Sequence, residues 1–219
     1  MRFPGLRASW DAFGETIRTS PGFNLATMEH CQGTLIRLTK LTDTSWIVHW
    51  LTDGHGLIKT VAKGARSPKS AFAGKLDLFF DAEITWARAR SGELHSLREV
   101  SVTGLRESIR RDYNAMLLSG YCCRLLELAL ERDHPEPELC DLLRRALDHI
   151  AAKGASVRAM QHFEQELARN LGISRSHRHA PTALREALGG LPPQRGQLLE
   201  RLSPAADLPV AQTESGDLK

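Results

Sequence analysis

The chain has 219 residues, of which 42% are hydrophobic and 25% charged, and its formal net charge at pH 7 is only +3. This is the composition of an ordinary globular protein of one or two domains, large enough to bury a core without disulfides. No stretch approaches the ~20 apolar residues of a membrane span. The N-terminus also lacks the apolar core of a secretory signal, so we expect a cytoplasmic protein with no membrane partner.

The first segment, residues 1–28, is predicted to be a disordered extension, because prolines and glycines interrupt it and little periodicity remains. Met28 stands directly before a strand-like run, so a start of translation at Met28 is a further hypothesis. The intact mass of protein made from the native gene would test it.

From Glu29 to about Thr103 the hydrophobic period is near two, with β-branched and aromatic residues enriched, which indicates strands. We predict five strands, at about 31–39, 45–52, 56–63, 79–89 and 93–103. Asp53-Gly54 and Ser91-Gly92 are predicted turns between them. Five short strands with one long connection after the third favour a small Greek-key barrel of the OB type, and an SH3-like barrel is the alternative.

After Gly104 the period changes to 3.6 residues, which indicates helices. Tyr113–Arg132 is apolar on nearly all sides and predicts a central, buried helix. Pro137 suits the first position of the next helix, Ser156 caps a third, and Gly172 suits the residue that ends it. Two shorter helices are predicted near 181–188 and 194–202.

The predicted fold class is therefore α+β, with an N-terminal OB-type β-barrel followed by an all-α C-terminal domain. The predicted limits are 29–104 for the barrel and 105–202 for the helical domain. Residues 203–219 contain two prolines and mostly small or polar side chains, and are predicted to form a disordered tail.

A basic segment follows the start of the third predicted strand. Between residues 59 and 75 there are five cations and no acid: Lys59, Lys63, Arg66, Lys69 and Lys75. Such a set can neutralise several phosphates, and the resulting binding weakens as salt is added. A solvated basic loop without a role is the alternative, and charge alone does not decide between them.

Four further cations stand near strand ends: Arg37, Lys40, Arg88 and Arg90. We infer that these ends converge with the basic segment on one groove of the barrel, and we predict that all nine cations bind DNA. Lys59 and Lys63 alternate with Leu57 and Val61, which suggests that the third strand lies at a sheet edge.

Three tryptophans, Trp46, Trp50 and Trp86, could stack on bases as in single-strand binders. They alternate with apolar residues in strands that must fill a barrel, so the core interpretation is favoured.

The chain shows no catalytic or metal-binding pattern. It contains no GxxxxGK[ST], GxSxG or HExxH motif, and its one histidine cluster, His177-Arg178-His179, lacks cysteine or carboxylate partners. None of the cysteines forms a CxxC pair: they are Cys31, Cys122, Cys123 and Cys140. We predict small buried or half-buried thiols, no enzyme activity and no cofactor.

Several segments taken together resemble the RecO family of recombination mediators. They are Gly33-Thr34-Leu35-Ile36 with Asp43-Thr44-Ser45-Trp46-Ile47-Val48, His55–Ser70, Ser91–Glu99 and Phe163–Gly172. Their order and spacing carry the resemblance, which covers about residues 29–172. Many members have a four-cysteine zinc site after the helix matching 163–172, but residues 173–219 contain no cysteine here, so we predict no zinc.

The resemblance implies an OB fold and a helical domain, with binding of single- and double-stranded DNA. Since backbone contacts carry no base information, no sequence specificity is expected. It also implies strand annealing, loading of RecA on SSB-coated DNA together with RecR, and association with the nucleoid. A helical-domain pocket for the C-terminal tail of SSB is implied too, and Arg124 and Arg132 of the central helix are chemically suited to its carboxylates.

Two other functions compete with this interpretation. An OB-plus-helix adaptor that binds only proteins would carry the basic segment without using it. A nucleic-acid-processing enzyme would need a catalytic constellation, which the sequence lacks.

Overall fold

The computed structural model describes residues 27–174 and 179–203. Nearly all of the predicted extension and tail lie outside these residues, as do His177 and Arg178 of the histidine cluster. In the described ranges, no helix is both long and apolar enough to cross a lipid bilayer.

Five strands close into a barrel in the order β1-β2-β3-β5-β4. They are β1 (Met28–Lys40), β2 (Trp46–Thr52), β3 (Gly56–Ala62), β4 (Asp81–Ala87) and β5 (Leu94–Gly104). All neighbours are antiparallel except β3 and β5, and β4 closes the barrel by pairing with β1 from Met28↔Ala87 to Thr34↔Asp81. The OB-type barrel predicted from the sequence is confirmed.

The suggestion that the third strand lies at a sheet edge is wrong. β3 pairs with β2 on one side and with β5 on the other. Closure of the barrel removes free edges, and Lys59 alternates with apolar residues because the outer face of β3 is partly covered.

Alternate strand residues point inward and fill the barrel with apolar side chains. The fully or almost fully buried members of this core are Leu35, Val48, Trp50, Ile58, Ala62, Ala82, Ile84, Trp86, Leu97 and Val100. At about 25 cal/mol per Å² of buried apolar surface, two tryptophans with 0% exposure make large contributions to the stability of so small a barrel.

Six helices lie in the described residues after the barrel. They are α1 (Glu107–Arg111), α2 (Tyr113–Ala129), α3 (Pro137–Lys153), α4 (Val157–Asn170), α5 (Ala180–Ala187) and α6 (Gln194–Leu202). The predicted boundaries hold because their local causes are present: Pro137 occupies the first turn of α3, and the Ser156 hydroxyl accepts a hydrogen bond from the Ala159 N–H at 3.1 Å. Gly172, with φ +67°, follows α4 in the left-handed conformation.

The central helix α2 is shorter than predicted. It ends at Ala129 because Leu130 is extended, with φ −99° and ψ 138°. Arg132 therefore does not lie on the helix, and it instead forms a parallel β-bridge with Leu57 of β3. The five-residue helix α1 was not predicted, since so short a helix leaves no clear period.

The barrel and the helices share a packed boundary. Ile36, Leu51 and Phe79 from the barrel side belong to the same buried cluster as the helical core. Beside them the buried Arg106 guanidinium donates to the Asp81 carboxylate at 2.6 Å, and to Asp148 of α3 at 2.6 Å. This arginine links β4 to α3, so the two parts are held in a defined orientation.

The cysteines behave as predicted. Cys122, Cys123 and Cys140 are buried and Cys31 is half-buried, and all four are free thiols. Burial raises the pKa of the Cys140 thiol to about 12 and raises the pKa of the other three as well. Thiols held in the protonated form are poor nucleophiles and poor metal ligands.

Candidate nucleic-acid interface

A basic loop, residues 63–75, leaves the end of β3 and covers one end of the barrel. We call this the loop end of the barrel. The last residue of β1, Lys40, pairs with the first residue of β2, Trp46, which in turn pairs with the last residue of β3, Ala62. The end of β1 and the start of β2 therefore also lie at the loop end. Phe72 of the loop packs on the barrel core. Successive turns hold the loop in shape, including the Ser67 N–H to Gly64 C=O and Ser70 N–H to Ser67 C=O bonds, both 3.0 Å.

Arg66 is the best-anchored cation of the basic loop. Its backbone N–H donates to the Thr44 carbonyl at 3.0 Å, and its guanidinium donates to the Thr42 carbonyl at 3.2 Å. The same guanidinium lies over the Trp46 ring, 4.9 Å from its centre. These contacts position the charge without neutralising it, so Arg66 stays available to an anion.

The lysines of the basic loop are exposed: they are Lys63, Lys69 and Lys75. In residues 27–174 and 179–203 none of them forms an ion pair. The acid that follows the loop in sequence, Asp77, is engaged by Arg110 of α1. Lys40 lies at the same end and pairs with the exposed Asp43 at 2.7 Å, a contact worth little in water. The loop end thus presents four exposed cations, Lys63, Arg66, Lys69 and Lys75, that form no ion pair with the described residues.

Arg37 and Lys59 lie elsewhere, at a seam between the barrel and the end of α2. The seam consists of Arg37, His49 and Lys59, which are consecutive partners across β1, β2 and β3, together with Arg124, Glu127, Arg132 and Glu93. It encloses a cavity of about 130 Å³.

The cations of the seam are already paired with acids. Glu127, whose side chain is 9% exposed, accepts from Arg37 and, at 3.1 Å, from Arg124. Glu93 pairs with Arg132 and lies 3.8 Å from Lys59. Burial, with the neighbouring Arg37, lowers the pKa of His49 to about 4, so this imidazole is neutral at pH 7.

Arg88 and Arg90 follow β4 at the opposite end of the barrel. β4 runs antiparallel to β1, and its last residue, Ala87, pairs with Met28 at the start of β1, whereas Lys40 is at the close of β1. The inferred convergence of all these strand ends on one groove is therefore wrong. Arg88 lies 3.6 Å from Glu29 and over the Trp86 ring, and Arg90 is exposed.

The tryptophans serve the core, as favoured from the sequence. Trp50 and Trp86 have 0% exposure, and the Trp50 indole donates to the Thr60 hydroxyl at 2.9 Å. Trp86 stacks on His95 with ring centres 4.4 Å apart. Neither ring can stack on a base. Trp46 is half-buried beneath Arg66.

A second candidate site, which sequence reasoning missed, is a groove between α3 and α4 of about 750 Å³. Leu142, Ile150 and Phe163 form its buried floor. Four exposed basic or titratable side chains form its rim: Arg145, His149, Arg158 and His162. In each helix two of them are four residues apart, so they lie on one face, and that spacing was the available signal.

Comparisons with known proteins agree with this architecture. Two family models, described as Recombination protein O N terminal and Recombination protein O C terminal, match residues 27–106 and 110–176. A solved chain of Entamoeba histolytica asparaginyl-tRNA synthetase shares 19% identity, with a TM-score of 0.32 over 51% of this chain and 31% of that one. A likeness at that level says nothing about this chain.

Curated relatives named DNA repair protein RecO are similar over most of the described residues. That of Pelobacter propionicus is 30% identical over 66% of this chain and 58% of its own length. Those of Rhodopirellula baltica and Listeria monocytogenes serotype 4b are 29% and 32% identical, over 70% and 67% of this chain and 57% and 56% of their own lengths. The match thus spans little more than half of the relatives. On these matches and on the barrel-plus-helix architecture, the chain belongs to the RecO family.

Proposed function

We propose that this chain is a DNA-binding recombination mediator in DNA repair that acts without catalysis. The observation that carries the proposal is the loop end, where Lys63, Arg66, Lys69 and Lys75 are exposed on an ordered loop and unpaired among the described residues. Phosphate contacts from such cations release counterions, which drives binding to single- or double-stranded DNA of any sequence.

The experiment that tests DNA binding is fluorescence anisotropy with labelled single-stranded DNA, titrated at several salt concentrations. Four phosphate contacts predict a fall of log affinity with log salt of slope about −3, since each contact on a single strand contributes about −0.7. Two unrelated base sequences should bind alike. An absence of binding even at low salt would contradict the proposal and favour the adaptor that binds only proteins.

We further propose that the chain anneals complementary strands and assists RecA loading on SSB-coated DNA with RecR, at the nucleoid in the cytoplasm. Membership of the RecO family supports this, together with a fixed orientation between a cationic barrel and a helical part. An annealing assay tests this proposal: complementary strands are coated with SSB, and fluorescence energy transfer between labels on the two strands reports their pairing. A chain that binds DNA without accelerating annealing would be a DNA-binding member that lacks mediator activity.

For the SSB tail we propose the α3–α4 groove. Its rim of two arginines and two histidines suits acidic side chains, and its floor suits apolar ones. Arg124 and Arg132, the candidates chosen from sequence, are each engaged by Glu127 or Glu93. Arg145 pairs with Asp141 at 2.7 Å on an exposed surface, while Arg158 has no ion-pair partner in the described ranges. We expect the parent chain to bind a labelled SSB tail peptide and the Arg158→Glu variant to lose this binding.

A further inference from the structure

The α3–α4 groove has the chemistry of a receptor for an acidic, partly apolar peptide. Its lining in the described part of the chain contains no carboxylate, although a quarter of the whole chain is charged. Arg145 and His149 face it from α3, and Arg158 and His162 from α4, around the apolar floor. An extended segment could place apolar side chains on the floor and acids on the rim.

This chain itself contains a segment of that chemistry, outside the described residues. Residues 204–219 carry three acids, Asp207, Glu214 and Asp217, and one cation, Lys219. Asp207-Leu208-Pro209-Val210 combines an acid with two apolar residues and a proline over four positions. The segment complements the groove in both charge and hydrophobicity.

Contacts within the helical part place the end of α6, which precedes this segment in sequence, at the same end of the domain as the groove. α6 ends at Leu202, and Arg201 in its last turn donates to the Asn114 side chain at 2.7 Å. Asp112, two residues earlier, has its carboxylate 4.0 Å from where a Cβ on Gly154 would lie. Gly154 lies two positions before the groove residue Ser156 and four before Arg158.

We propose that residues 204–219 bind in the α3–α4 groove of their own chain and compete there with acidic tails of other proteins. Sixteen residues reach up to about 50 Å when extended, so distance does not prevent docking. A tethered segment is present at an effective concentration in the millimolar range, so even weak affinity suffices for substantial occupancy. The competition rests on the proposed function, which assigns the same groove to the SSB tail, whereas the docking does not.

Photo-crosslinking of the full chain tests the docking directly. Leu208 is replaced by p-benzoylphenylalanine, the dilute protein is irradiated, and crosslinked peptides are mapped by mass spectrometry. The expected crosslinks stay within one chain and reach α3 around Ile150 or α4 around Phe163. The matched control carries p-benzoylphenylalanine at Gln212 instead, and it should crosslink to those peptides less efficiently. Crosslinks between copies, or only to the barrel, would overturn the proposal.

Competition is measured with a fluorescein-labelled peptide of the SSB C-terminal tail and full-length variants. The triple variant Asp207→Ala, Leu208→Ala, Val210→Ala should bind the peptide about three- to tenfold more tightly than the parent, because its own segment binds the groove more weakly at an unchanged effective concentration and so competes less. The control Arg98→Ala, on an exposed position of β5 outside the segment and the groove, should bind like the parent. Equal binding by all three chains would overturn the competition.

The two proposals fail in distinguishable ways. If residue 208 crosslinks to the groove but the SSB peptide binds no variant, the chain's own segment occupies the groove and the assignment to the SSB tail is wrong. If the peptide binds parent and triple variant equally, and Arg158→Glu alone abolishes binding, the SSB site stands and the internal segment does not compete.

Discussion

The loop end of the barrel and the seam beside α2 are both rich in arginine and lysine, but the cations of the loop end are mostly unpaired and those of the seam are paired with acids. At the loop end, Lys63 and Lys69 are exposed, with no ion-pair partner among the described residues. At the seam, Arg37 shares the nearly buried Glu127 with Arg124. A cation that is already paired must give up part of that pairing before it gains a phosphate. We therefore expect the two surfaces to differ in DNA binding, although both are rich in basic residues.

The largest effect is expected at the loop end. Lys63→Ala, Arg66→Ala and Lys69→Ala together remove three phosphate contacts, each worth about 0.7 in log affinity per decade of salt. At about 0.1 M salt that corresponds to a loss of roughly 100-fold, and the salt slope should become shallower by about 2. Anisotropy with labelled single-stranded DNA measures both quantities.

The matched control for this variant is Arg98→Ala, on an exposed position of β5 outside the predicted DNA-binding set. It should bind DNA like the parent. If the triple variant keeps its affinity with an unchanged circular-dichroism spectrum, the basic loop has no part in DNA binding.

The second effect concerns acid stability at the seam. The pKa of His49 is lowered from 6.5 to about 4, first by burial and then by Arg37, so the folded state binds fewer protons than the unfolded chain between these values. The unfolding free energy should therefore fall as the pH drops from about 6.5 to 4, with His49 contributing about 2–3 kcal/mol.

Urea unfolding at pH 7 and pH 4.5 measures this contribution. In His49→Gln the fall should be smaller than in the parent, whereas His134→Gln, on an exposed residue, should leave it unchanged. Equal falls in the parent and in His49→Gln would show that the imidazole is not held neutral by the seam.

A third, smaller effect is expected from Glu127→Gln. The amide keeps the size and one acceptor but leaves Arg37 and Arg124 without their anion, which should lower the unfolding free energy by about 1 kcal/mol after allowance for their partial exposure. The freed cations should strengthen DNA binding about two- to fivefold at ~0.1 M salt, which is less than one full phosphate contact. Weaker DNA binding by this variant would mean that the seam acts in some other way.

The smallest effect is expected from removing seam cations. Arg37→Ala with Lys59→Ala should change DNA affinity less than threefold, because both side chains are paired with acids of the same chain and make fewer phosphate contacts than the loop. The same anisotropy titration measures it. A loss as large as that of the loop variant would place the DNA path across the seam and remove the contrast between the two surfaces.

Local patterns predicted the elements of this fold well. Alternation in the segments that hold Trp50 and Trp86 predicted strands with buried indoles, since a small barrel must be filled by inward side chains. Pro137 and Ser156 marked the starts of α3 and α4 through contacts within one turn of helix. These features depend only on neighbouring residues, so one sequence suffices to read them.

The candidate site was predicted only in part. The basic loop was found because its cations are close together in sequence. The α3–α4 groove was missed because it forms only when two helices pack against each other. Arg132 was wrongly assigned to α2, because its segment runs alongside β3, where Arg132 forms a parallel β-bridge with Leu57.

The sequence by itself determined a five-stranded barrel, a helical part with defined starts and stops, and a cluster of cations between β3 and β4. Only the tertiary structure decided which cations remain free. Glu127 lies 90 positions from Arg37 in sequence, and Glu93 lies 39 positions from Arg132, so no local sequence pattern predicts either ion pair. Electrostatic neutralisation depends on distance in space and on burial, and both quantities arise when the barrel closes and α2 packs against it.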